Sequence, residues 1–166
     1  MASCWPKKIS KLEIAVSENN HLKVKQYLDQ GVSKQLLLFF AVRNSNPDMV
    51  ELAIARGADL NFRTSKEVTG KSSHIGKSLK KLLPPIYAAL KNCDVKMMKL
   101  LIEKGASVDV KNKKGESPLL YAVRTIESSK EQLQSVQVLL QNGAQLDECR
   151  HDDGLCALHF GLDGRR

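Results

Sequence analysis

Apolar residues recur along this chain in paired short segments, each too narrow to bury itself. Between Leu82 and Asn112 the first segment carries Pro85, Ile86, Tyr87 and Ala89. The second carries Met98, Leu100 and Leu101, and the pair closes on Gly105-Ala106. The spacing predicts two amphipathic helices joined by a polar turn. A hairpin with so little apolar surface must stack on copies of itself. The copies are present. Leu37–Asn61 has Ala41, Val50, Leu52, Ile54 and Gly57-Ala58, with Val50 at the same offset from Gly57 as Met98 from Gly105. An earlier unit has Ala15, Val24, Leu28 and Gly31-Val32. A later one has Pro118-Leu119-Leu120-Tyr121-Ala122, Val136, Leu139-Leu140 and Gly143-Ala144. A fifth opens at Asp153–His159 and stops.

These units resemble ankyrin repeats, whose pattern is roughly G-x-T-P-L-H-x-A-A followed by V-x-L-L-L-x-x-G-A-x-x-N. Gly115-Glu116-Ser117-Pro118-Leu119-Leu120-Tyr121-Ala122 matches the first motif best, and the four Gly-Ala or Gly-Val closures match the second. The resemblance covers nearly the whole chain, about Lys11 to Gly161. It implies an all-α solenoid of stacked helix-turn-helix units, about four and a half repeats in a single domain. The repeats fall at about 11–35, 36–61, 84–114, 115–147 and, in part, 148–166, with an inserted basic loop at 62–83.

Departures from the pattern are informative. The first repeat lacks the Pro-Leu-His motif and starts directly with a helix, as an N-terminal cap would. Its inward positions are expected at Ile14, Ala15, Val24, Tyr27 and Leu28, and Trp5 is expected to cover the apolar end of the stack. Asn19-Asn20 stands where a positive φ is needed, which Asn tolerates best after Gly. The link Gly31–Leu36 is about seven residues too short for a hairpin finger. Leu36–Phe40 is continuously apolar and strand-like in composition, but the register of the following segment predicts helix, with Pro47 opening the next helix. About 15 extra residues separate the second and third repeats, where a flexible loop is expected. Leu79, Leu82 and Leu83 at its end suggest a short helix. The fourth repeat carries about five extra residues near 127–131, which lengthen its helices or bulge the turn. The unfinished fifth repeat suggests that the array continues in a longer chain, with completion of this end by another chain as the alternative.

Charge sharpens the picture. The chain of 166 residues has a net charge of +8, distributed as +2 over 1–61, +9 over 62–114 and −3 over 115–166. A field concentrated in the middle favours an acidic partner. Aromatics are 5% of residues, so the core must rest on Leu, Ile, Val, Ala and Met. No run approaches the roughly 18 apolar residues of a membrane span. The start is broken by Lys7, Lys8, Lys11 and Glu13, which predicts no signal peptide and an intracellular protein, cytoplasmic or nuclear. Cys4, Cys93, Cys149 and Cys156 are then expected as free thiols.

Candidate chemistry reduces to binding. Gly70-Lys71-Ser72 and Gly76-Lys77-Ser78 imitate a phosphate loop, but Lys71 stands where that motif needs Gly and no strand precedes it. Cys149, His151, Cys156 and His159 offer zinc-type ligands in the wrong rhythm, and His159 matches the family's turn histidine. Neither a nucleophile arrangement nor a carboxylate pair emerges, so no enzyme, cofactor or metal is expected. Met98 is expected inside the third repeat and Met97 half exposed. The resemblance implies a protein-interaction module, adaptor, scaffold or regulatory, that binds through finger loops and the concave face. The partner-binding residues are expected to be Arg63, Lys66, Lys71, Lys77, Lys80, Lys81, Tyr87, Lys91, Lys113, Lys114, Tyr121 and Arg124, with Asn112–Glu116 on the same face. Two other readings remain. One is nucleic-acid binding by the basic 62–114 patch, which the scarcity of aromatics disfavours. The other is an NF-κB-inhibitor-like ankyrin protein, which the basic charge disfavours.

Overall fold

Short helices follow one another with the same punctuation. The computed structural model describes residues 5–62, 83–125 and 130–147, the side chains of 5–9, 131 and 132 excepted. Eight α-helices and no strands occur among these residues: α1 Trp5–Ser17, α2 His21–Asp29, α3 Lys34–Arg43, α4 Pro47–Ala55, α5 Pro85–Lys91, α6 Val95–Glu103, α7 Pro118–Thr125 and α8 Lys130–Gln141. The chain divides into two compact units, residues 1–85 and 86–166.

Each inner turn is built alike. Asn19, Ser45 and Cys93, at the ends of α1, α3 and α5, adopt φ of 53, 51 and 53°. The left-handed residue reverses the chain, and the next residue caps the following helix. The Asn20, Asn46 and Asp94 side chains accept from the amides of Lys23, Met49 and Met97 at 3.0, 3.2 and 2.9 Å. Those amides are orphaned at a helix start, so each cap satisfies a donor that water would otherwise have to reach. The second helices close on glycine. Gly57, with φ of 74°, donates to Ile54 O at 2.8 Å, and Ala58 then donates to Ala53 O at 2.9 Å. The same pair of bonds recurs at Gly31, Gly105 and Gly143, so the register of the Gly-Ala closures has a geometric cause.

In the first unit α1 packs on α2 and α3, and α3 packs on α4. Leu36, Leu37, Leu38, Phe40, Ala41 and Val42 of α3 are all buried, which explains the missing stripe: a helix enclosed on several sides is apolar around most of its girth. Ser33 caps α3 just two residues beyond Gly31, leaving no room for a finger. Bonds also run between the first two hairpins. The Asn46 amide donates to Val16 O and Asn19 Oδ1 at 3.4 and 3.1 Å, Arg56 pairs with Asp29 at 3.4 Å, and Arg43 pairs with Glu13.

The inward row of α1 differs from the expected one. Ile14 is 54% exposed, while Leu12, Ala15 and Val16 are buried. Tyr27 and Leu28 are half-buried, and only Val24 of α2 is fully enclosed. Trp5 opens α1, but its side chain lies outside the described residues.

In the second unit α8 packs on both α6 and α7. Met97 is 3% exposed, not half exposed as expected, and Met98 and Leu101 are enclosed with it. Every residue from Pro84 to Leu90 is buried. The expected short helix before the third repeat, at Leu79–Leu83, lies outside the described residues apart from Leu83, which is not helical. The extra residues of the fourth repeat lie partly outside them too. α8 begins within that stretch, at Lys130, and runs 12 residues, against 9 for α6.

Candidate protein-binding finger

The hairpin that follows α6 is the one finger described in full. Asn112-Lys113-Lys114-Gly115 has the signature of a tight loop: Asn at the first position, Gly at the last. The Gly115 amide donates to Asn112 O at 3.0 Å and the Asn112 amide to Glu116 O at 3.0 Å. Gly115 takes φ of 74°, the left-handed step of a three-residue hairpin loop. Lys113 and Lys114 therefore occupy the tip. Both are exposed, and neither forms an ion pair with a described residue.

Beneath the tip lies a buried polar network. The Asn112 side chain accepts from the Lys114 and Glu116 amides at 2.8 and 3.1 Å, and its Nδ2 donates to Glu116 Oε2 at 2.8 Å. Arg124, near the end of α7, closes on the same carboxylate from above, Nε to Oε1 at 2.9 Å and Nη2 to Oε2 at 3.3 Å. Glu116 is 0% exposed. Burial pushes its pKa up, but the Asn112 hydrogen bond, the Arg124 guanidinium and the Lys114 charge outweigh that and hold it below the ordinary carboxylate value. Ser117, next in the chain, accepts from the Leu120 amide at 3.3 Å and caps α7, with Pro118 in the first turn.

Tyr87 ties α5 to this finger. Its hydroxyl lies 2.6 Å from Val110 O and 2.5 Å from Glu116 O, one carbonyl from each arm. Its ring meets Tyr121 edge-on, with centroids 5.2 Å apart and planes at 81°. An aromatic pair of this geometry adds about 0.5–1.5 kcal/mol beyond its area.

The expected binding residues thus separate. Tyr87 is wholly buried, its hydroxyl against two carbonyls of the finger. Asn112 and Glu116 are likewise buried, not on a face. The Arg124 side chain is 30% exposed, but its guanidinium is engaged by Glu116. Tyr121 is half-buried; Lys91, at the end of α5, is exposed. Arg63, Lys66, Lys71, Lys77, Lys80 and Lys81 lie outside the described residues, as do Cys149, His151, Cys156 and His159. Sequence reasoning missed the Asn112–Glu116–Arg124 network. The Asn-x-x-Gly loop signal was available for the turn, whereas nothing local marks Glu116 for burial.

The rest of the described surface offers less. A cleft of about 350 Å³ between α6 and α8 is lined by Val95, Lys99, Gln134, Gln137, Val138 and Gln141. Cys93 is a free thiol. Among the described residues there is no cluster of metal-ligating side chains, and no helix is long and apolar enough to cross a membrane.

A family model described as ankyrin repeats (three copies) matches residues 38–148. A search of curated proteins gives no match.

Proposed function

The chain belongs to the ankyrin-repeat family, whose members are generally protein–protein interaction modules, and from that premise we propose that it binds an acidic protein surface through basic fingers. The observation that carries this reading is the Asn112–Gly115 turn, which holds Lys113 and Lys114 at its tip with no ion-pair partner among the described residues. The finger position after the second repeat carries Arg63, Lys66, Lys71, Lys77, Lys80 and Lys81 against Glu67 alone. Lys91 and Tyr121 are accessible supporting contacts. Arg124 supports the finger from within, through Glu116. The role is that of an adaptor or regulatory binder, with no catalytic step.

Fluorescence anisotropy with labelled polyglutamate tests the charge preference. Binding should weaken as salt rises, because exposed charges are screened over about 8 Å at 0.15 M. An exposed ion pair contributes about 0.2–1 kcal/mol. Removing both tip lysines, K113A/K114A, should therefore weaken binding about two- to thirtyfold. Affinity indifferent to salt and to the tip lysines would refute the reading. Tighter binding of mixed-sequence RNA or DNA at the same salt would replace it with nucleic-acid recognition.

A further inference from the structure

We infer that Glu116 is a positioning residue of the finger: its buried carboxylate, shared between Asn112 and Arg124, sets the turn in the one shape that presents Lys113 and Lys114. The inference rests on the binding role proposed for that tip.

A short surface turn with two adjacent lysines has little reason of its own to hold one shape. Ordering it on binding costs conformational entropy in each immobilised side chain, besides the backbone. Mutual repulsion of adjacent ammonium groups adds to that cost. Here the cost is met before any partner arrives. Asn112 reads the turn from inside, its Oδ1 accepting from the Lys114 and Glu116 amides. Asn112 is itself oriented by Glu116, because its Nδ2 donates to Oε2. Without that acceptor the Asn112 amide group could flip and offer its donors, not its oxygen, to the two backbone amides. Glu116 is oriented in turn by the two-point clasp of Arg124, whose fork fits a carboxylate side-on. Tyr87 fixes the backbone at both ends of the loop. The chain of bonds runs from α7 through Arg124, Glu116 and Asn112 to the Lys114 amide, and none of its hydrogen bonds uses a lysine side chain. Glu116, fully enclosed, can touch no partner. Its effect on binding must act through the tip.

A double-mutant cycle tests this on the full chain, with labelled polyglutamate as probe and amide hydrogen exchange as second readout. Glu116→Gln keeps the shape but removes the charge that Arg124 clasps and one acceptor. The expected result is binding weakened about fivefold, from the ordering cost no longer prepaid, with faster exchange at the Lys114 amide and unchanged helical circular dichroism. In the K113A/K114A background the same substitution should produce no further loss. Equal losses in both backgrounds, or a Lys114 amide whose exchange does not change, would overturn the positioning role. Should E116Q unfold the unit, Tyr87→Phe loosens the same loop from the other side and must show the same dependence on the lysines. A wild-type affinity in K113A/K114A would sink the proposed binding role of the tip instead, and the exchange measurement would still report whether Glu116 sets the turn.

Discussion

Replacing Tyr87 with phenylalanine removes one oxygen from the centre of the second unit. The ring stays, so packing and the edge-on contact with Tyr121 are kept. What is lost is the hydroxyl between Val110 O and Glu116 O, at 2.6 and 2.5 Å. The Glu116 carbonyl keeps the Asn112 amide at 3.0 Å. The hydroxyl has one proton to share between the two carbonyls, so its removal forfeits one hydrogen bond and leaves the Val110 carbonyl, on a buried residue, with no other donor among the described residues. A buried acceptor left bare costs about 1–3 kcal/mol. For a domain of this length each kcal/mol lowers the melting temperature by about 2–4 °C, so the middle of the range corresponds to a fall of about 4–8 °C. Urea unfolding followed by far-ultraviolet circular dichroism should show a lower midpoint at unchanged slope, the mark of altered stability and not altered compactness. Tyr121→Phe is the control: its ring is half-buried and its hydroxyl donates to no described residue, so its effect should stay within about 0.5 kcal/mol. If the two variants unfold at the same midpoint, the Tyr87 hydroxyl does not anchor the finger, and the account of that network fails.

Other consequences follow from single groups. Because the Glu116 pKa is lowered on folding, its contribution is fully present above the ordinary glutamate value of about 4.3. It is lost as pH falls through the folded value. The melting temperature should therefore drop on acidification below about pH 4.3, and Glu116→Gln should flatten that acid limb; an identical limb in the variant would contradict the assignment. Asn46→Ala loses the cap on the Met49 amide and both bonds to the preceding hairpin, for about 1–2 kcal/mol in urea unfolding. It should exceed Asn20→Ala, whose side chain caps the Lys23 amide without reaching another hairpin. Gly57→Ala should cost about 1–2 kcal/mol from the positive φ, since the added Cβ would meet only the mobile end of Lys34, at 3.2 Å. A neutral result would show that the second helix does not need its left-handed closure.

What could be read from the chain alone was whatever is local and repeated. The Asn19-Asn20 turn, proline at Pro47 and glycine at Gly57 and Gly105 act within a few residues, so spacing exposes them. The Leu36–Phe40 run was helical because its register against Val50 and Gly57 outweighed its strand-like composition. Periodicity states which residues share a row, but not whether a neighbour covers that row. Ile14 and Met97 show both errors: Ile14 is left exposed on α1, and Met97 is enclosed on the α6 that packs with α8. The finger shows the deeper limit. Lys113 and Lys114 were visible as exposed charge. Yet a carboxylate at position 116 becomes an interior group only when the turn brings the Asn112 amide, and α7 the Arg124 fork, to within 2.8–3.3 Å of its oxygens. Folding alone assembles those donors, and without them desolvation would have kept Glu116 on the surface.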